Sequence, residues 1–156
     1  LTAAASGGGG GGGGGSLGFA HFYGLAPGDY AATIAAGAAM DFPNLGSTGG
    51  TTPPTRASAT NFILPAVGTY EVTFQASITE PGQLMLGINA GLLAYSVAGR
   101  ATGTSQIMNK VYVTTGVVNA VLQVLNPAGN AAALTVTPIA GGASAVSTSL
   151  TILRLE

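Results

Sequence analysis

Between Gly68 and Thr79 the chain alternates without a break. Tyr70, Val72, Phe74, Ala76 and Ile78 fall on one side of an extended chain; Thr69, Glu71, Thr73, Gln75, Ser77 and Thr79 fall on the other. Successive side chains of a strand point to opposite faces, so the pattern predicts a β-strand with one buried and one polar face. Pro65-Ala66-Val67-Gly68 leads into it and Pro81-Gly82 closes it, both with turn chemistry.

Shorter runs of the same kind continue along the chain. Gly18–Leu25 predicts a first strand, ended at Ala26–Asp29. Tyr30–Ala35 and Ala38–Phe42 predict two short strands around Gly37, and Leu45–Thr55, rich in Gly, Thr and Pro, predicts a loop. Asn61–Leu64 leads to Pro65. Gln83–Asn89 and Leu92–Val97 predict a hairpin turning at Ala90-Gly91. Gly103–Thr115 sets Ile107, Val111 and Val113 on one face, interrupted by Asn109. Val117–Leu125 ends at the turn Asn126–Gly129, Ala131–Thr137 ends at Pro138, and Ala140–Ala145 is a loop of small residues. Val146–Leu155 is apolar on both faces, with Leu150 and Ile152 on one and Leu153 and Leu155 on the other. That pattern fits a central strand covered on both sides, or one at a subunit interface. Ala31–Met40 alone has helix-like composition, and Thr33, Ile34 and Gly37 oppose it. About ten short strands with turn punctuation predict an all-β antiparallel sandwich or jelly roll.

Nine glycines, Gly7 to Gly15, stand between Ser6 and Ser16. Polyglycine has nothing to pack and loses the most entropy on ordering, so 1–16 reads as a flexible linker or leader and 17–156 as the folded head. It lacks the spaced repeat of collagen, which needs other residues between glycines.

Charge narrows the function further. Only 6% of the residues are charged and the formal net charge is −1, against about 25% charged in an ordinary soluble domain. Without a basic face, neither nucleic acid nor an anionic membrane surface is an expected partner. Copies of so neutral a surface repel one another little, which favours self-association. Arg56, Arg100, Lys110 and Arg154 are the only basic residues, leaving few sites for trypsin-like cleavage. The absence of cysteine fits a bacterial or phage surface protein better than a disulfide-stapled secreted domain.

Chemistry-bearing residues are sparse. His21 is the sole histidine; a Ser-His-Asp site would need it beside Asp29 or Asp41 and a serine nucleophile, and no G-x-S-x-G elbow is present. An enzyme is not expected. Asp29, Asp41, Glu71 and Glu80 fall in no D-x-D loop, so neither a metal nor a cofactor is expected. Glu71 suits an ion pair with Lys110 or Arg100. Arg100, among small residues, suits a fork onto a carboxylate or onto carbonyls that pins a loop. Tyr23, Tyr30, Tyr95 and Tyr112 suit core or interface anchors more than a sugar-binding face. Arg100, Lys110, His21 and Tyr112 are the candidate interface or loop contacts.

Four segments carry a family resemblance: Phe22–Asp29 (FYGLAPGD), Phe62–Phe74 (FILPAVGTYEVTF), Val97–Gln106 (VAGRATGTSQ) and Val124–Asn130 (VLNPAGN). In that order they resemble the C-terminal head of BclA-type collagen-like exosporium glycoproteins of clostridial and bacillary spores, over about Gly18 to Arg154. The resemblance implies a jelly roll similar to the C1q and tumour-necrosis-factor heads, forming a homotrimer at the end of a collagen-like filament. It implies a structural role in surface display and adhesion, outside the cell in the outer layer of the spore. A receptor- or glycan-binding adhesin and a phage fibre tip use the same fold and remain the alternatives, with a host-surface receptor or glycan as the further partner.

Overall fold

The computed structural model describes residues 17–156, so the expected linker over 1–16 lies outside the described residues. Among the described residues there is no helix and there are ten strands. They are β1 (Phe19–Ala26), β2 (Asn44–Gly49), β3 (Thr55–Arg56), β4 (Phe62–Leu64), β5 (Gly68–Ile78), β6 (Gly82–Ile88), β7 (Gly91–Arg100), β8 (Ser105–Thr115), β9 (Ala120–Leu125) and β10 (Val146–Arg154). Two five-stranded sheets result, ordered β2-β1-β10-β5-β8 and β3-β4-β9-β6-β7. All the strand pairs are antiparallel. The chain crosses between sheets repeatedly, and the product is an all-β jelly-roll sandwich.

Alternation in β5 does what the sequence predicts: Tyr70, Val72, Phe74, Ala76 and Ile78 are fully buried. They meet Phe62, Leu64, Leu84, Leu86, Leu122 and Val124 from the second sheet in one core. Phe22 from the first sheet and Phe62 from the second lie 4.8 Å apart by ring centroids, and Phe42 packs edge-on against Phe62 at 5.9 Å. Tilted and edge-on rings let opposite poles of the aromatic quadrupoles meet. Most buried polar groups are paired, as a core of low dielectric requires, with Asp41 Oδ1 and Arg100 Nε the exceptions among the described residues. Tyr70 donates its hydroxyl to the Ala66 carbonyl at 2.8 Å and accepts the Ala66 N–H at 3.1 Å, fixing the turn before β5. Ser96 accepts the Leu86 N–H at 2.7 Å and donates to the Leu93 carbonyl at 2.6 Å, beside the register shift between Leu84 and Leu86.

Several expectations need correction. Leu45–Thr55 is no plain loop, because it holds most of β2 and the start of β3. Its glycines serve close approach: a Cβ on Gly46 would lie 2.7 Å from His21 Nδ1, and one on Gly49 would lie 3.0 Å from the Phe19 ring. Tyr30–Ala35 and Ala38–Phe42 are not strands; each makes a single bridge, Ile34 to Leu134 in another loop and Ala39 to Leu125 at the end of β9. Ala131–Thr137 likewise reduces to bridges at Leu134 and Val136. Apolar residues in these segments mark loops packed on the core, with Met40, Phe42 and Leu134 fully buried.

Buried Asn126 holds those loops. Its Nδ2 donates to the Ile34 carbonyl at 2.9 Å and the Ala132 carbonyl at 3.2 Å, and its Oδ1 accepts from Asn130 at 2.5 Å. The β6–β7 hairpin turns one residue earlier than expected, at Asn89 and Ala90 (φ 48° and 66°), with Gly91 already paired to Ile88. Right-handed strand twist favours turns with two positive φ values, and Asn tolerates that region. β10 is central in its sheet, but the protomer covers one face of it. Leu150 and Ile152 are buried, while Leu155 on the other face is exposed.

Candidate functional site

Odd-numbered residues of β1, and their register partners in β10, β5 and β8, form the outer face of the first sheet. Three rows cross it: Tyr23, Ser149, Gln75 and Met108; His21, Thr151, Thr73 and Lys110; Phe19, Leu153, Glu71 and Tyr112. Four strands about 4.8 Å apart and the eight-residue length of β1 make this face roughly 19 Å by 27 Å. It is unusual for an outward face in its large apolar groups. Tyr112 and Met108 are 60% and 58% exposed, and Phe19, Tyr23 and Leu153 are half-buried.

The charge on those rows cancels. Lys110 Nζ sits 3.0 Å from Glu71 Oε1, the cross-strand pair the sequence suggested. Its hydrogen bond and charge push the Lys110 ammonium above its usual value. His21 shares a hydrogen bond with Ser149 Oγ at 3.0 Å and lies 5.7 Å from the Tyr23 ring. No acid completes that pair. Asp29 Oδ2 accepts from the Leu25 N–H and from Asn44, both at 2.8 Å. Asp41 faces Arg56 at 3.8 Å, and burial pushes its carboxyl above the usual range against the pull of Arg56. Among the described residues, no three His, Cys, Asp or Glu side chains gather where a metal could be held.

Three of the four candidate contacts, His21, Lys110 and Tyr112, therefore come together on one face. Arg100 does not. Its guanidinium donates to the Ile78 carbonyl, to the Glu80 carbonyl at 2.8 Å and to Ser105 Oγ at 2.9 Å. That is the fork onto carbonyls that pins a loop, at the β7–β8 end of the sandwich. Tyr30 is a loop anchor: it donates to the Asp41 carbonyl at 2.6 Å and pairs with buried Thr148. Burial pushes its hydroxyl up to about 12. Tyr95 is exposed on β7, across the sandwich edge from β8. There Asn109 Nδ2 reaches the Ser96 carbonyl at 3.0 Å. Sequence reasoning missed Phe19, Met108 and Ser149; the available signal was the outward phase of β1 and β8, which carries aromatic and thioether groups where Thr or Ser would serve.

No family model and no curated protein matches the sequence. Solved structures do match. One is the PRD1 vertex protein P5, which aligns over 92% of this chain and 100% of its own with a TM-score of 0.54 and 20% sequence identity. At that identity the likeness establishes the jelly-roll fold.

Proposed function

We propose that this chain is a structural head that self-assembles as a homotrimer through the outer face of the first sheet and is displayed on the surface of a particle. The observation that carries the reading is the row Phe19, Leu153, Glu71 and Tyr112 with its neighbours. Large apolar groups stand there around one internally compensated ion pair. The face supplies a large part of the roughly 800 Å² per partner of a stable interface, and its neutrality removes the repulsion between copies.

A second exposed set lies on the lateral edge at β7, with Leu92, Tyr95 and Val97. Two unlike patches on one protomer make a head-to-tail contact, and such a contact either closes into a ring or grows without end. An edge of one copy laid on the β1–β10 face of the next gives both patches a partner. The resemblance to trimeric heads supports a ring of three.

Likeness to a vertex protein supports the fibre-tip alternative better than the spore filament. A fibre or vertex head needs the same trimer and no collagen stalk. The comparisons lend no support to the exosporium or to a collagen-like stalk. Among the described residues no helix is long and apolar enough to cross a membrane. Sedimentation velocity on the full chain tests the reading: a single species of three times the monomer mass at micromolar concentration is expected, and a stable monomer would sink it.

A further inference from the structure

The loops at one end of the sandwich enclose a cleft of about 290 Å³ lined by Ser77, Thr104, Ser105, Gln106, Thr137 and Ala140. This is the end away from the chain's point of entry. Gly18 accepts the Arg154 N–H beside Phe19, and Phe19 is level with Leu153 and Glu71. Ser77 lies six residues further along β5, or about 20 Å. Ser77 points outward by phase yet is only 7% exposed, since Thr137 donates its N–H to the Ser77 carbonyl at 2.8 Å and brings its loop across.

No charged side chain lines the cleft. Ser105 Oγ accepts from Arg100, which leaves its own O–H free to donate. Thr137 shares a hydroxyl contact with Thr79 at 3.2 Å, and Ser77 accepts a long bond of 3.4 Å from Gln75. The Thr104 hydroxyl and the Gln106 amide form none of the side-chain hydrogen bonds among the described residues, so donors and acceptors both stand unspent. Two residues, Thr104 in the lining and Ile139 next to Ala140, are held in an uncommon backbone shape. Thr104 and Ile139 are β-branched, yet their φ values are 51° and 45°. Such residues rarely enter the left-handed region, and they persist there where the surroundings over-determine them, often at ligand clamps.

We propose that this cleft binds one ring of a neutral glycan. A charged ligand would be desolvated here without a compensating partner. A polyhydroxylated ring matches a lining of hydroxyls and an amide, while the threonine methyls and Ala140 offer contact to its C–H face. The volume sits at the small end of ligand pockets, roughly 300–1,000 Å³, which suits a single ring. The inference rests on the surface-head reading only for the direction in which the cleft faces.

Saturation-transfer NMR on the full chain tests it, with a panel of neutral oligosaccharides and their sialylated and sulfated counterparts as probes. Neutral members should bind, and acidic counterparts should bind no better. Gln106→Ala should weaken binding about tenfold, a change of one hydrogen-bonding group. Ala140→Trp, on an exposed loop, should block the cleft and abolish binding. Gln83→Ala, exposed outside the cleft, should change nothing. Absence of binding by every neutral member, or binding that survives Ala140→Trp, overturns the proposal. Sedimentation of the same samples reports the assembly separately, so a monomer that binds sugar refutes the trimer and leaves this site standing.

Discussion

Replacing Tyr112 by Ala tests the assembly face without touching the protomer core. Its side chain is 60% exposed and accepts or donates no side-chain hydrogen bond among the described residues, so the isolated fold should lose little. A tyrosine offers about 200 Å², of which this exposure leaves roughly 120 Å² to be covered by a partner. At about 25 cal/mol per Å², full coverage is worth about 3 kcal/mol, and truncation to Ala removes about 2 kcal/mol of it. Three equivalent contacts in a ring amount to about 6 kcal/mol, or about four orders of magnitude in the dissociation constant of the trimer. Sedimentation velocity over a dilution series reads this directly, with far-ultraviolet circular dichroism as the check on the fold. Tyr112→Glu should act more strongly, because its carboxylate would stand beside Glu71, its register partner in β5. A trimer that dilutes identically in wild type and Tyr112→Ala would show that this face is not where copies meet.

Other consequences concern the loops that shape the far end. Asn126→Ala takes the side-chain donor from the Ala132 carbonyl and one of two bonds each from the Ile34 carbonyl, which keeps the Leu134 N–H, and the Asn130 amide, which keeps the Gln83 carbonyl; it should destabilise by about 1–3 kcal/mol in urea unfolding. Arg100→Met, which removes the fork onto Ile78, Glu80 and Ser105, should lower the melting temperature and leave the oligomeric state unchanged; loss of the trimer instead would restore Arg100 as an interface contact. Glu80 is held below the usual glutamate range: burial raises it, but the Thr135 hydroxyl at 2.6 Å and N–H at 2.7 Å lower it more. A depressed carboxyl contributes stability that is present above its unfolded pKa, about 4.3, and lost as pH falls through the folded value. The gap in melting temperature between wild type and Glu80→Gln should therefore be open at pH 7 and close in acid. Asp41 is raised and has the opposite sign, so Asp41→Asn should do no harm to thermal stability at neutral pH, and a clear loss there would contradict the burial argument.

Period-two alternation found the long strands because it reflects burial on one face only. β5 and β8 show it over eleven residues each, and their boundaries in sequence and structure differ by a residue or two. It failed where a segment is buried without being paired. In Ile34, Met40, Phe42 and Leu134 the apolar residues are anchors of loops, and their backbone bonds run to isolated partners: Ile34 N–H to the Leu134 carbonyl at 2.8 Å, Met40 N–H to the Val124 carbonyl at 2.7 Å. It failed in the opposite sense at β2, whose Gly-rich sequence reads as a turn. There glycine is selected because the edge strand runs against His21 and Phe19, a fact of three-dimensional packing that no local pattern carries.

The proposed assembly face was legible in part for the same reason. An outward phase made of Thr, Gln and Ser is what water selects, and β5 has it at Thr69, Thr73, Gln75 and Ser77. Water does not select Phe19, Tyr23, Leu153, Met108 and Tyr112 in that phase, yet each is separated from the next by one to many residues in sequence and only register joins them. The apparent second apolar face of β10 belongs to this set: Leu153 lies in the row of Phe19 and Tyr112, where it is only half-buried. A strand buried on both sides and a strand awaiting a partner have one and the same pattern, and the protomer's own layers decide between them. Glu71 then takes its meaning from Lys110. Paired at 3.0 Å on the protomer's surface, the two charges can enter an interface as a neutral unit, whereas either alone would oppose burial. Lys110→Ala should accordingly weaken the trimer more than Lys110→Ala with Glu71→Gln, and equal effects of the single and double variants would mean that the pair stays in water when copies meet.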